Sequence, residues 1–257
     1  MITLVRQEIF KLVHKKSTWA TSVLLLIIMT VFAVVSQSHP STFEPKSMFI
    51  EQFTGFNWVV LFMIAASSSI ISMEFQYGTI KELLYRKYYR GEVLISKWIT
   101  MVLYSIYFIA LVFVYSLILK FILFNNTFQL SETYGNKHSI LLTALYTSLS
   151  GFVALWLILS LVLLIANLFK SSAAAISVGI IGYFAINVVS SILTIIIKKW
   201  TWLKWNPLNM MNYPNQVVSP DFKHLTLLST NELLMGSLVY MVIFLAISYV
   251  VFKRRSV

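Results

Sequence analysis

The chain has 257 residues, of which 58% are hydrophobic and only 11% charged, too little charge for the surface of a water-soluble domain of this size. Twenty Lys and Arg against nine Asp and Glu give a net charge of +11, but these bases stand between apolar runs and lack the aromatic interleaving of an RNA-binding module. Membrane orientation and anionic lipid account for them, nucleic acid is not an expected partner, and the absence of cysteine excludes disulfides, thiolate metal sites and a Cys nucleophile.

Residues 1–16 are read as an amphipathic helix. Ile2, Val5, Ile9, Leu12 and Val13 repeat at helical spacing, with Gln7, Glu8, Lys11 and Lys15 elsewhere on the wheel. Such a helix lies in the membrane interface and is retained. A signal peptide is the rival reading, with Val34-Val35-Ser36 as its cleavage site, but its leading region would be unusually long.

Crossing a hydrocarbon core of about 30 Å takes roughly 20 apolar residues as a helix. Six runs qualify: 18–36, 54–73, 98–119, 140–166, 173–197 and 233–252. The fourth and fifth exceed the need, which predicts tilt or a broken end. The fold class is therefore an all-α integral membrane protein, one transmembrane domain over 1–257 with six spans. With the N-terminus inside, thirteen of the 20 Lys and Arg fall in cytoplasmic segments, which places both termini in the cytoplasm. The pair Lys198–Lys199 on the outer side runs against that bias.

The loop between spans two and three, 74–97, is the main cytoplasmic feature. Gly78 breaks the helix leaving the membrane and Thr79 can cap the next one. Ile80, Leu83 and Leu84 then share a face, Lys81, Glu82, Arg86 and Lys87 lie mostly on others, and Gly91 ends the short helix. A solvated basic loop held by anionic headgroups is the plainer reading of the same pattern.

Outside the membrane on the other side, 198–232 carries Trp200, Trp202, Trp205, Pro207, Tyr213, Pro214 and Pro220. Tryptophans at an interface and prolines breaking short helices are expected there. Ser171, Ala175 and Gly179 form a small-residue stripe on span five that lets helices approach closely, either within the subunit or across a dimer. Asn57 and Asn187 are read first as making ordinary interhelical hydrogen bonds, with a place on a central pathway as their candidate functional role.

Catalytic chemistry has little to work with. The span interiors hold no Asp, Glu, Lys, Arg or His, which disfavours a proton-driven carrier. His14, His39, His138 and His224 are scattered without metal-ligand spacing, and no phosphate-binding G-x-x-x-x-G-K-[ST] string occurs.

The string Glu74-x-x-x-Gly78-Thr79-Ile80-Lys81-x-Leu83-Leu84, followed by Arg90 and Ser96-Lys97, resembles the first cytoplasmic loop of type-2 ABC exporter permeases. The likeness extends to the interfacial helix, the six spans and the large outer loop. It implies a coupling helix between spans two and three that docks on a separate ABC ATPase subunit. The residues carried over to that role are Glu74, Gly78, Thr79, Ile80, Lys81, Glu82, Leu83, Leu84, Arg86, Arg90 and Lys97. ATP and Mg would be bound by the partner, with no cofactor and no catalysis on this chain. A second copy or a paralogous permease would complete the transporter in a bacterial plasma membrane. The implied cargo is hydrophobic or amphipathic, such as an antimicrobial or toxic peptide. Where the family often has a proline or small turn residue before the arginine, this chain has Tyr88-Tyr89. The rival functions are an ATPase-independent carrier and a peptide-sequestering immunity protein.

Overall fold

The computed structural model describes residues 1–78, 88–134 and 138–254. Six helices in it are long and apolar enough to cross a membrane, and the chain is a multi-pass membrane protein. In chain order they are α2 (Lys16–Ser38), α4 (Gly55–Gln76), α5 (Arg90–Leu123), α6 (Ile140–Ala166), α7 (Ser172–Lys199) and α11 (Thr230–Arg254). Each of the five other than α6 extends, at one end or both, beyond the apolar run that announces it. The fourth and fifth are unbroken. The longest is instead α5, whose 34 residues extend about 50 Å. Its first two turns are charged and hide from a hydropathy reading.

Contacts between helix ends divide the bundle into two ends. At the near end, α1 (Ile2–His14) packs on α5 and α2, Phe75 meets Phe252, and Arg90 Nη1 donates to Lys253 O at 3.3 Å. Asn167, after α6, donates to Ser248 Oγ of α11 at 2.7 Å, and Gln76 Oε1 accepts from Ser172 N at 2.9 Å, joining α4 to the start of α7. At the far end, α3 (Pro45–Ile50) packs on α6, and Lys46 pairs with Glu132 at 2.6 Å.

Helix α6 is the axis of the fold: two thirds of its most apolar window is buried, and it packs against α4, α7 and α11. Lipid offers no hydrophobic drive between helices, so small residues and hydroxyl pairs carry much of the specificity. Ser22 meets Tyr107 Oη at 3.1 Å, Thr30 meets Tyr115 Oη at 2.7 Å, and Trp156 Nε1 donates to Ser105 Oγ at 3.0 Å. The stripe on α7 acts within the chain. Ala175 and Gly179 are buried, and a Cβ on Gly179 would stand 2.9 Å from Ile64 and 3.0 Å from Ser68 of α4.

The far end is more built than the sequence suggests. Phe49, Phe53, Phe124 and Phe128 bury their rings together, with neighbouring centroids 5.7–6.4 Å apart. Seating Phe53 there forces a turn through Gln52, Phe53 and Thr54, all at positive φ. Such a conformation costs a non-glycine residue about 1–2 kcal/mol. A bond between the buried Gln52 amide and Ser148 helps hold it. Two short antiparallel strands, β1 (Thr133–Tyr134) and β2 (His138–Ser139), lead into α6, a small departure from an all-α chain.

Within 198–232 the prolines start helices rather than break them. Pro207 opens α8 (Pro207–Met210), and Pro214 and Pro220 stand in the first turns of α9 (Tyr213–Val218) and a 3-10 turn, where a missing N–H costs nothing. A last short helix, α10 (Lys223–Thr226), returns the chain to α11. Asn209 donates to Lys204 O and Thr226 O at 2.7 and 2.9 Å, and Gln216 to Leu228 O at 2.9 Å. Met210 reaches Gly236 and Ser237, two turns or about 10 Å inside α11. The segment therefore dips into the bundle, while Trp200, Trp202 and Trp205 stay exposed.

The tight seat of Gly179 predicts that Gly179→Leu lowers stability by about 1–3 kcal/mol through overpacking against α4. Gly182, with open space around its Cα, should accept Ala with no loss. Thermal unfolding of the detergent-solubilised variants checks both.

Candidate functional site at the near end

Glu8 sits one helical turn after Leu4, and both are buried on the face of α1 that meets the bundle. Glu74 lies in the last turn of α4 and Lys97 in the second turn of α5; neither is turned outward. Lys97 is only 2% exposed, with its Nζ 2.8 Å from Glu74 and 3.2 Å from Glu8. Lys11 closes the group, 2.8 Å from Glu8 and 3.7 Å from Glu74. Two acids and two lysines thus alternate in a compact cluster that joins α1 to both ends of the 74–97 loop.

The electrostatics match this alternation. Burial alone would lower the Lys11 pKa, but the hydrogen bond and charge of Glu8, with Glu74 beyond it, raise it above the ordinary lysine value. A buried ammonium such as Lys97 persists only when paired and hydrogen-bonded.

The loop between these ends begins at Gly78, whose φ of +67° turns the chain out of α4 in a conformation that favours glycine. Thr79, Ile80, Lys81, Glu82, Leu83, Leu84 and Arg86 lie outside the described residues. The chain re-enters at Tyr88–Tyr89, where Tyr89 N donates to Glu92 Oε2 at 3.0 Å as α5 starts. Gly91 does not end a helix. It stands in the first turn of α5, where a side chain would strike the Tyr249 ring of α11. Arg90 points to α11 through its bond to Lys253 O.

Residues 23–257 match the family described as "Protein of unknown function (DUF2705)". The chain belongs to that family. A relative from Bacillus subtilis (strain 168), "Uncharacterized protein YhcI", is 27% identical over 209 residues, which take in 77% of this chain and 64% of the relative.

In this DUF2705 chain the two candidate pathway amides do not meet inside the bundle. Asn57 on α4 and Asn187 on α7 are both exposed. Asn187 Nδ2 donates to Tyr183 O of its own helix at 2.8 Å, and among the described residues it makes no interhelical hydrogen bond. Counted from the Gly179 contact with Ile64 and Ser68, the two antiparallel helices carry these amides at nearly the same depth. Helix α7 is bare around its amide: only 6% of its most apolar window is buried.

Sequence reasoning found Glu74 and Lys97 as members of a loop string but missed Glu8 and Lys11 as their partners. Glu8 follows Leu4 at i,i+4 on the inward stripe of α1, and that lone acid was the available signal.

Lys97→Met leaves the buried Glu8 and Glu74 sharing the half-exposed Lys11 as their counter-charge and should cost about 3 kcal/mol in thermal or denaturant unfolding. Adding Glu8→Gln and Glu74→Gln to Lys97→Met should recover most of that loss.

Proposed function

We propose that this chain is the membrane-spanning permease subunit of an ATP-driven exporter, with its near end cytoplasmic and the 74–97 loop as the surface that docks a separate ATPase chain. The observation that carries this reading is the ion cluster at the loop's ends. A partner pushing on the loop would move α4, α5 and α1 together, because Glu74, Lys97 and Glu8 are joined by buried ion pairs. ATP and Mg would be held by that partner. The loop's resemblance to type-2 exporter permeases supports the same assignment.

The pathway, in this reading, forms between this chain and a second copy or a paralogue. Amides exposed at membrane depth need polar partners or water, which a pathway between chains supplies to Asn57 and Asn187. The apolar character of the surrounding face suits a hydrophobic or amphipathic cargo, such as an antimicrobial or toxic peptide. Both termini lie in the cytoplasm of a bacterial cell, and transport runs outward.

The test is co-purification of the full chain in mild detergent with the cognate ATPase, comparing wild type with Lys81→Glu/Arg86→Glu. Recovery of the ATPase with wild type and its loss with the variant is the expected result. A normally expressed chain that never retains an ATPase would favour the carrier or the peptide-sequestering protein instead.

A further inference from the structure

Above the ion cluster, between α1, α2, α4, α5 and α7, lies a cavity of about 500 Å³. One wall is a continuous apolar stripe of α4 formed by Met73, Ile70, Ala66 and Phe62 at helical spacing. From Glu74 to Phe62 the stripe descends twelve residues, about 18 Å. That is close to the depth of one leaflet of a roughly 30 Å hydrocarbon core. Helices α2 and α7 line the other sides without an extended packing contact between them.

The charged end of the cavity is not electrically balanced. Glu8 and Glu74 are matched by Lys11 and Lys97, but Lys15 also lines the cavity and has no ion pair among the described residues. Lys15 is the extended residue at the elbow between α1 and α2, and it provides no side-chain cap for α2. An exposed ammonium, the Ser17 hydroxyl and the positive end of a 23-residue helix therefore meet at one rim. A second apolar cavity of about 270 Å³ shares Leu12, Thr18 and Tyr104 with the first and continues past Leu103 and Tyr107.

We propose that this elbow is a binding site for an anionic phospholipid. Its headgroup rests on Lys15 and the start of α2, one acyl chain follows the Phe62–Met73 wall, and the other occupies the smaller cavity. Positive charge at an interface over a leaflet-deep apolar slot matches the two parts of such a lipid, and the bilayer supplies it directly. A free inorganic anion would leave the slot empty. This inference does not rest on the exporter reading: it needs only the membrane and the near-end geometry.

The experiment is native mass spectrometry of the full chain released from detergent after incubation with phosphatidylglycerol or phosphatidylcholine of matched chains. Preferential retention of one phosphatidylglycerol per chain is expected. Lys15→Glu, an exposed change that leaves the core intact, should lower that retention on the order of tenfold. Ala66→Trp, which fills the slot, should abolish it. Equal retention of both lipids would overturn the proposal, as would wild-type phosphatidylglycerol retention by either variant. If Ala66→Trp does not fold, the Lys15→Glu comparison decides alone.

Discussion

A lysine ammonium buried between two carboxylates is the constraint on which the near end depends. Removing Lys97 from water is costly, and only the alternation Lys11–Glu8–Lys97–Glu74 makes the position tenable. Three things follow from satisfying it. Helix α1 is held to the bundle by Glu8, so it is fixed in place by charge as well as by its apolar residues. The ends of α4 and α5 are held together, so the loop between them starts and finishes at one point. The space left between α1, α2, α4 and α7 becomes a cavity whose rim carries the surplus charge of Lys15.

The far end solves a different problem. Loops that meet a membrane surface must pair their backbone and cover the helix ends. Here a cluster of four phenylalanines anchors one connection, at the expense of three positive-φ residues, and a set of buried amides anchors the other. Met210 reaches two turns into α11, so the long connection braces the bundle from within rather than lying on it. Between the two ends, α6 is enclosed while α7 and α11 are largely bare.

The spans were legible because a run of about 20 apolar residues has few alternatives. Their ends were not, since Arg90–Ser96 reads as loop until Lys97 is known to be buried. The cluster itself was only half legible. Glu74 and Lys97 stand out near the membrane boundary, but Glu8 lies 89 residues from Lys97, and no local period relates such positions. Gly78 was readable from its residue type, because a left-handed turn at a helix end favours glycine. Gly91 misled for the same reason: its role is close approach to Tyr249, a tertiary fact. Residues 45–54 were silent because six-residue helices and strained turns leave too short a pattern to register.

If the ion cluster makes α1 and the foot of the loop one body, the separation between them should be fixed. Spin labels at the exposed Phe10 and Tyr77, measured by pulsed dipolar spectroscopy in nanodiscs, report it directly. A single narrow distance distribution that broadens on Lys97→Met is the predicted result. An equally broad distribution with and without Lys97 would contradict the account.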